Sequence, residues 1–91
     1  MNFLTTFPLG QIVATQNALS RLTELDITAG LNRHAARDWG ELDPDDRAAN
    51  DLAVIDGERL VSAYTTPSGV TYWIITERDR SYTTVLLPED Y

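Results

Sequence analysis

The sequence predicts an α+β fold in which a short N-terminal strand and two to three helices pack on a three-stranded antiparallel C-terminal sheet. Three observations lead there. Helix caps and helical periodicity fill the first two thirds of the chain, while β-branched and aromatic runs separated by turn residues fill the last third. No repeat, low-complexity stretch or Gly/Ser/Pro-rich linker divides residues 1–91, so one domain is expected.

Residues 9–14 (LGQIVA) form a short apolar run after Pro8 and read as a strand. Thr15 then stands as an N-cap before QNALSRLTEL, where Ala18, Leu19, Leu22 and Leu25 fall on one helical stripe. Thr28 can cap a second, short helix running towards Arg37, with Leu31 and His34 or Ala35 on its inner face; Gly30 should weaken it by roughly 1 kcal/mol relative to alanine. A third helix has Asp43 as N-cap, Pro44 in the first helical position, and Asp45 and Asp46 where the helix dipole favours negative charge. Its expected buried stripe is Ala48, Ala49, Leu52 and Ile55, and Gly57 supplies the stop.

From Arg59 the period changes. RLVSAYT and VTYWIIT read as a hairpin joined by Thr66-Pro67-Ser68-Gly69, and Tyr82 to Leu87 as a third strand ended by Pro88. Because residues 70–76 are apolar on both faces, that run is expected at the centre, with the other two strands as edges.

Composition excludes several classes. With no cysteine, there is no disulfide framework, cysteine-ligated zinc or thiol nucleophile. The opening MNFLTTFPLGQIVAT has neither a basic start nor an unbroken apolar stretch, so no signal peptide or membrane span is expected, and the reading is cytoplasmic. All seven cations are arginine and the pI is near 4.3, which disfavours direct nucleic-acid binding.

The charge is regional. Residues 34–58 hold eight carboxylates (Asp38, Glu41, Asp43, Asp45, Asp46, Asp51, Asp56, Glu58) against Arg37 and Arg47, leaving −6 of a formal −7. Such a patch attracts basic surfaces and repels nucleic acid.

Motifs for chemistry are sparse. His34 and Asp38 have the i, i+4 spacing of paired ligands, but there is no second histidine or cysteine, and a hydrogen-bonded structural histidine is the simpler reading. No G-x-S-x-G elbow frames a serine, and the glycines form no phosphate-binding run. Asp43-Pro44-Asp45-Asp46 lacks the ligand alternation and glycine of a calcium loop, and helix capping accounts for it. No catalytic residue, cofactor or metal is therefore assigned. Trp39 is expected in the core; exposed, it would instead serve as a binding anchor.

The stretches Asp38-Trp39-Gly40-Glu41-Leu42, Asp46, Asn50-Asp51, Ile75 to Ser81 and Thr83 to Tyr91 carry a resemblance. Over them, from about Leu9 onwards, the chain resembles a family of short, mostly uncharacterised bacterial proteins often carried on plasmids, integrated elements and phage-like islands. The resemblance implies a small residue or glycine just before Asp-Trp-Gly, where this chain has Arg37. It also implies an accessory or counter-defence role, as in inhibitors that fill the DNA-binding grooves of CRISPR or restriction complexes with carboxylates.

Together these features predict a non-enzymatic, acidic protein-binding module acting on a basic, nucleic-acid-handling protein, with no membrane partner. The candidate contact residues are Asp38, Trp39, Glu41, Asp45, Asp46 and Asp51. An enzyme of unknown reaction near His34, and an antitoxin-like or assembly subunit, are the alternatives.

Overall fold

A computed structural model describes residues 7–91. In order these form β1 (Gln11–Ala14), α1 (Gln16–Arg21), α2 (Glu24–Ala35), α3 (Pro44–Asp56), β2 (Leu60–Thr65), β3 (Thr71–Thr76), β4 (Tyr82–Leu86) and a 3-10 turn, Pro88–Asp90. The α+β class stands, but the sheet has four strands, in the order β1-β4-β3-β2. The hairpin β2–β3 and the β3–β4 pair are antiparallel, as expected. The N-terminal strand adds itself to β4 in parallel, Gln11 opposite Tyr82 and Ala14 opposite Val85. This corrects the expected three-stranded antiparallel sheet: β3 is internal as anticipated, but β4 is internal too, and the edges are β1 and β2.

One face of the sheet carries the helices. Tyr64, Tyr72, Ile74, Val85 and Leu87 pack with Ala18 and Leu22 of α1 and its C-cap and with Leu31 of α2. Gly30 lies against the Tyr72 ring, where a Cβ would come within 2.6 Å of the phenol oxygen, so the glycine permits a close helix–sheet approach. A second cluster joins Phe7, Leu9, Ala35, Trp39, Ala53 and Leu60 at the β2 end. No helix in the described residues is long and apolar enough to cross a membrane.

Helix boundaries differ from expectation at one place. The predicted first helix breaks at Leu22, which is extended (φ −109°, ψ 144°), because Thr23 starts α2 with a reciprocal capping box. The Asp26 amide donates to Thr23 Oγ1 (3.0 Å) and the Thr23 amide to Asp26 Oδ2 (2.9 Å). Thr28, the expected cap, is therefore inside α2, and Leu19 and Leu25 are exposed rather than on an inner stripe. At its far end α2 closes with the Arg37 amide donating to His34 O and the Asp38 amide to Arg33 O, the paired bonds of a Schellman turn. Arg37 takes the left-handed position of that turn (φ 64°), a backbone conformation that glycine adopts without strain.

The helix α3 starts and stops where expected, with the Asp43 side chain accepting from the Asp46 amide and Gly57 left-handed at its end. Its rotation is not as expected. Asn50 and Ala53 face inward, whereas Ala48, Ala49, Leu52 and Ile55 face solvent. Polar docking sets the rotation: the Asn50 side chain donates to Val61 O (2.7 Å) and accepts from Val61 N (3.2 Å), as a neighbouring strand would. One residue pair further along β2, Ala63 N donates to Trp39 O and accepts Glu41 N at its carbonyl. Gly40, between them, has φ 75° and lies so near Ala63 O that any Cβ would collide. The β2 edge is thus sealed by a side-chain amide and a loop, two devices that prevent further strand addition.

Asn50→Ala removes both bonds to Val61 and exposes part of that edge, so urea unfolding should show a loss of about 2 kcal/mol. An unchanged midpoint would mean that apolar packing alone holds α3 in place.

Candidate protein-binding face

The expected contact residues divide into two groups. Asp38 is engaged internally: its carboxylate receives Arg33 Nε (2.7 Å), Arg33 Nη2 (3.3 Å) and the Gly40 amide (3.2 Å). The Arg33 bonds, chiefly, hold its carboxyl below the usual carboxylate range. Trp39 is corrected from a partner-contacting candidate to a core residue, only 3% exposed and stacked on Phe7. Its indole Nε1 donates to Asp51 Oδ1 (3.0 Å), which also lies 3.5 Å from Arg37 Nη2, so Asp51 fastens α3 to the Trp39 loop.

Glu41, Asp45 and Asp46 remain on the surface. Asp45 and Asp46 are exposed in the first turn of α3 and form no ion pair with any described residue; Glu41 accepts a hydrogen bond from Thr65. Beside Asp46 opens a groove of about 310 Å³ lined also by Leu42, Ala49, Asn50 and Val61. On the outer side of the same helix, Leu52 and Ile55 are 57% and 77% exposed, in line with Ala48 and flanked in sequence by Asp51 and Asp56. The surface of α3 is therefore mixed, with Leu52 and Ile55 beside Asp51 and Asp56 on its outer side and Asp46 on the groove side, and sequence periodicity had placed its aliphatic part in the core. Only Asn50, a polar residue that with Asp51 interrupts the apolar run 48–55, hinted at the different rotation.

His34 belongs to the interior, and so do all its partners. Its ring is fully buried between the edges of Phe7 and Trp39. Nδ1 lies 2.6 Å from Ser62 Oγ and Nε2 2.8 Å from Thr76 Oγ1; Thr76 Oγ1 lies 2.7 Å from Thr83 Oγ1, which donates to Leu9 O at 2.7 Å. Donor counting orients the whole chain. The Leu9 carbonyl only accepts, so the Thr83 hydrogen goes there; Thr76 must then donate to Thr83, and His34 Nε2–H to Thr76. That leaves Nδ1 as the acceptor for Ser62. The serine–histidine contact resembles a nucleophile–base pair, but the second ring nitrogen meets a threonine rather than a carboxylate, and Ser62 is as buried as His34.

Arg80 went unnoticed in the sequence as a structural residue. Its guanidinium donates to Glu58 O (2.6 Å), Glu77 O (3.0 Å) and Ala53 O (3.1 Å), gathering the end of α3 and the β3–β4 turn. Among the described residues, no group of three or more His, Cys, Asp or Glu side chains is placed to hold a metal ion. Comparison of the chain with protein-family models, curated proteins and solved structures gives no match.

Burial, with a smaller contribution from Arg80, pushes the His34 pKa down from 6.5 to about 4. An unfolded chain takes up this proton near pH 6.5 and the folded one does not, so the stability contribution is full above pH 6.5. It falls by about 1.4 kcal/mol per pH unit below that, losing roughly 3 kcal/mol by the folded pKa. Urea unfolding between pH 7 and pH 5 should show this slope in wild type and lose it in His34→Gln. Equal slopes in the two proteins would refute a buried neutral imidazole.

Proposed function

We propose that the protein is a small acidic, non-enzymatic binding module whose α3 face docks on a basic protein partner, of the kind that handles nucleic acid. The observation that carries this reading is the outward rotation of α3. Asn50 and Ala53 hold the helix to the sheet, so Leu52 and Ile55 are left in water beside the carboxylates. A solvated acidic helix has no need of large exposed aliphatics; an interface does, since apolar side chains contribute its centre and charges its rim and approach. The contact set on this reading is Glu41, Asp45, Asp46, Leu52 and Ile55, with Asp38, Trp39 and Asp51 supporting it from within.

The counter-defence setting rests on the resemblance described above and adds the kind of partner, a DNA-binding groove in a CRISPR or restriction complex. Carboxylates at the groove supply the charge that such a site recognises on phosphates. An enzyme centred on His34 is disfavoured, because both ring nitrogens are already spent on hydroxyls that have no access to solvent.

The test is capture of basic nucleic-acid-handling proteins from bacterial lysate by wild type and by Glu41→Gln/Asp45→Asn/Asp46→Asn, with circular dichroism confirming that both fold. Wild type should retain such a protein, release it steeply as salt rises and lose it to added DNA; the neutralised variant should retain at least about tenfold less. A second variant, Leu52→Ser/Ile55→Ser, should weaken capture with little change in salt dependence. Equal retention by all three proteins would remove α3 as the contact face.

A further inference from the structure

We propose that the β1 edge pairs with the β1 edge of a second copy, joining two four-stranded sheets into one of eight. The two sheet edges are treated very differently. On β2 the outward backbone groups of Val61 and Ala63 are taken by Asn50, Trp39 and Glu41. On β1, Gln11 N donates to Ser81 O and Thr15 N to Val85 O, so the odd-numbered residues face β4 and the N–H and C=O groups of Ile12 and Ala14 point outward. Among the described residues those groups have no partner. Apart from its shortness, the strand bears none of the usual protections, having no charge, proline or bulge, and its Ile12 and Val13 are 41% and 36% exposed.

Charge decides for a second copy of this chain. At a formal −7, most surfaces of two copies repel each other, but β1 itself carries no charge, and the carboxylate at its end, Asp90, is taken up by Thr15, Asn17 and the Leu87 amide. The eight carboxylates of residues 34–58 belong to the β2 side of the sheet, α3 and its flanks, three strand spacings or roughly 14 Å away. Joining β1 to β1 therefore keeps the acidic faces apart at the two ends of the assembly. Geometry fixes the register. With the two-fold at Val13, Ile12 of one copy and Ala14 of the other exchange both backbone bonds, twice over, giving four hydrogen bonds with Val13 against Val13 between them.

Such a short seam makes a modest interface, so association should appear in analytical ultracentrifugation as a doubling of mass by about 100 μM. Ile12→Pro deletes one outward N–H while fitting an edge strand, and should stay monomeric with an unchanged circular dichroism spectrum. Val13→Arg, which brings like charges together at the two-fold, should do the same if the proline variant fails to fold. In wild type the amides of Ile12 and Ala14 should gain exchange protection with concentration, while those of Gln11 and Val13 stay constant. A wild type that remains monomeric at that concentration, a dimer that persists in folded Ile12→Pro or Val13→Arg, or a dimer without concentration-dependent protection of Ile12 and Ala14 would each overturn the proposal.

Discussion

The structure depends on one buried hydrogen-bond chain, Ser62 to His34 to Thr76 to Thr83 to the Leu9 carbonyl. It joins α2 to three adjacent strands and to the segment that leads into β1, so the helical layer, the hairpin and the parallel strand share a single polar core. All four side chains are fully buried. Each unmatched group there would cost about 1–3 kcal/mol, which makes the chain a matter of all or none. No buried side-chain nitrogen or oxygen among the described residues lacks a partner. The chain works only with a neutral imidazole of one tautomer, so burial of His34 and the directions of the three hydroxyls are one constraint rather than four.

A second polar device explains where the apolar surface went. Asn50 holds α3 to the β2 edge through Val61, Asp51 holds it to Trp39, and Arg80 donates to the Ala53 carbonyl in its last turn. A helix docked by amide, carboxylate and guanidinium contacts does not need to insert an aliphatic ridge. Its Leu52 and Ile55 are then left in solvent; the same contacts spend Asp51 on the fold, and Arg33 and the Gly40 amide engage Asp38. The acidic region is therefore two populations: carboxylates that build the scaffold, and those at the start of α3 that shape its outer field.

Much of the fold was legible locally. The Thr66–Gly69 turn with its flanking strands, the Asp43-Pro44 start and Gly57 stop of α3, and the strand character of residues 11–14 are all decided by neighbours in sequence. His34 on the inner side of its helix and Trp39 in the core follow from size and spacing. The break before α2 was also written in the chain, as Thr23-x-x-Asp26, but an unbroken leucine period across it pointed to a continuous helix. Two things were not local. β1 pairs with β4 about seventy residues away, and nothing in either strand specifies the other. The rotation of α3 is set by hydrogen bonds to a strand edge that exists only after folding, so its hydrophobic pattern named the wrong face. The candidate site inherited that error: its carboxylates were legible and its aliphatic half was not.

The central claim is the direction of the buried chain, and a long-range proton–nitrogen correlation spectrum of the single imidazole at pH 7 tests it most directly. The account predicts a slowly exchanging hydrogen on Nε2 and an unprotonated Nδ1 with the nitrogen shift of a hydrogen-bond acceptor. A ring protonated on Nδ1, an averaged mixture of tautomers, or an imidazolium at this pH would contradict it.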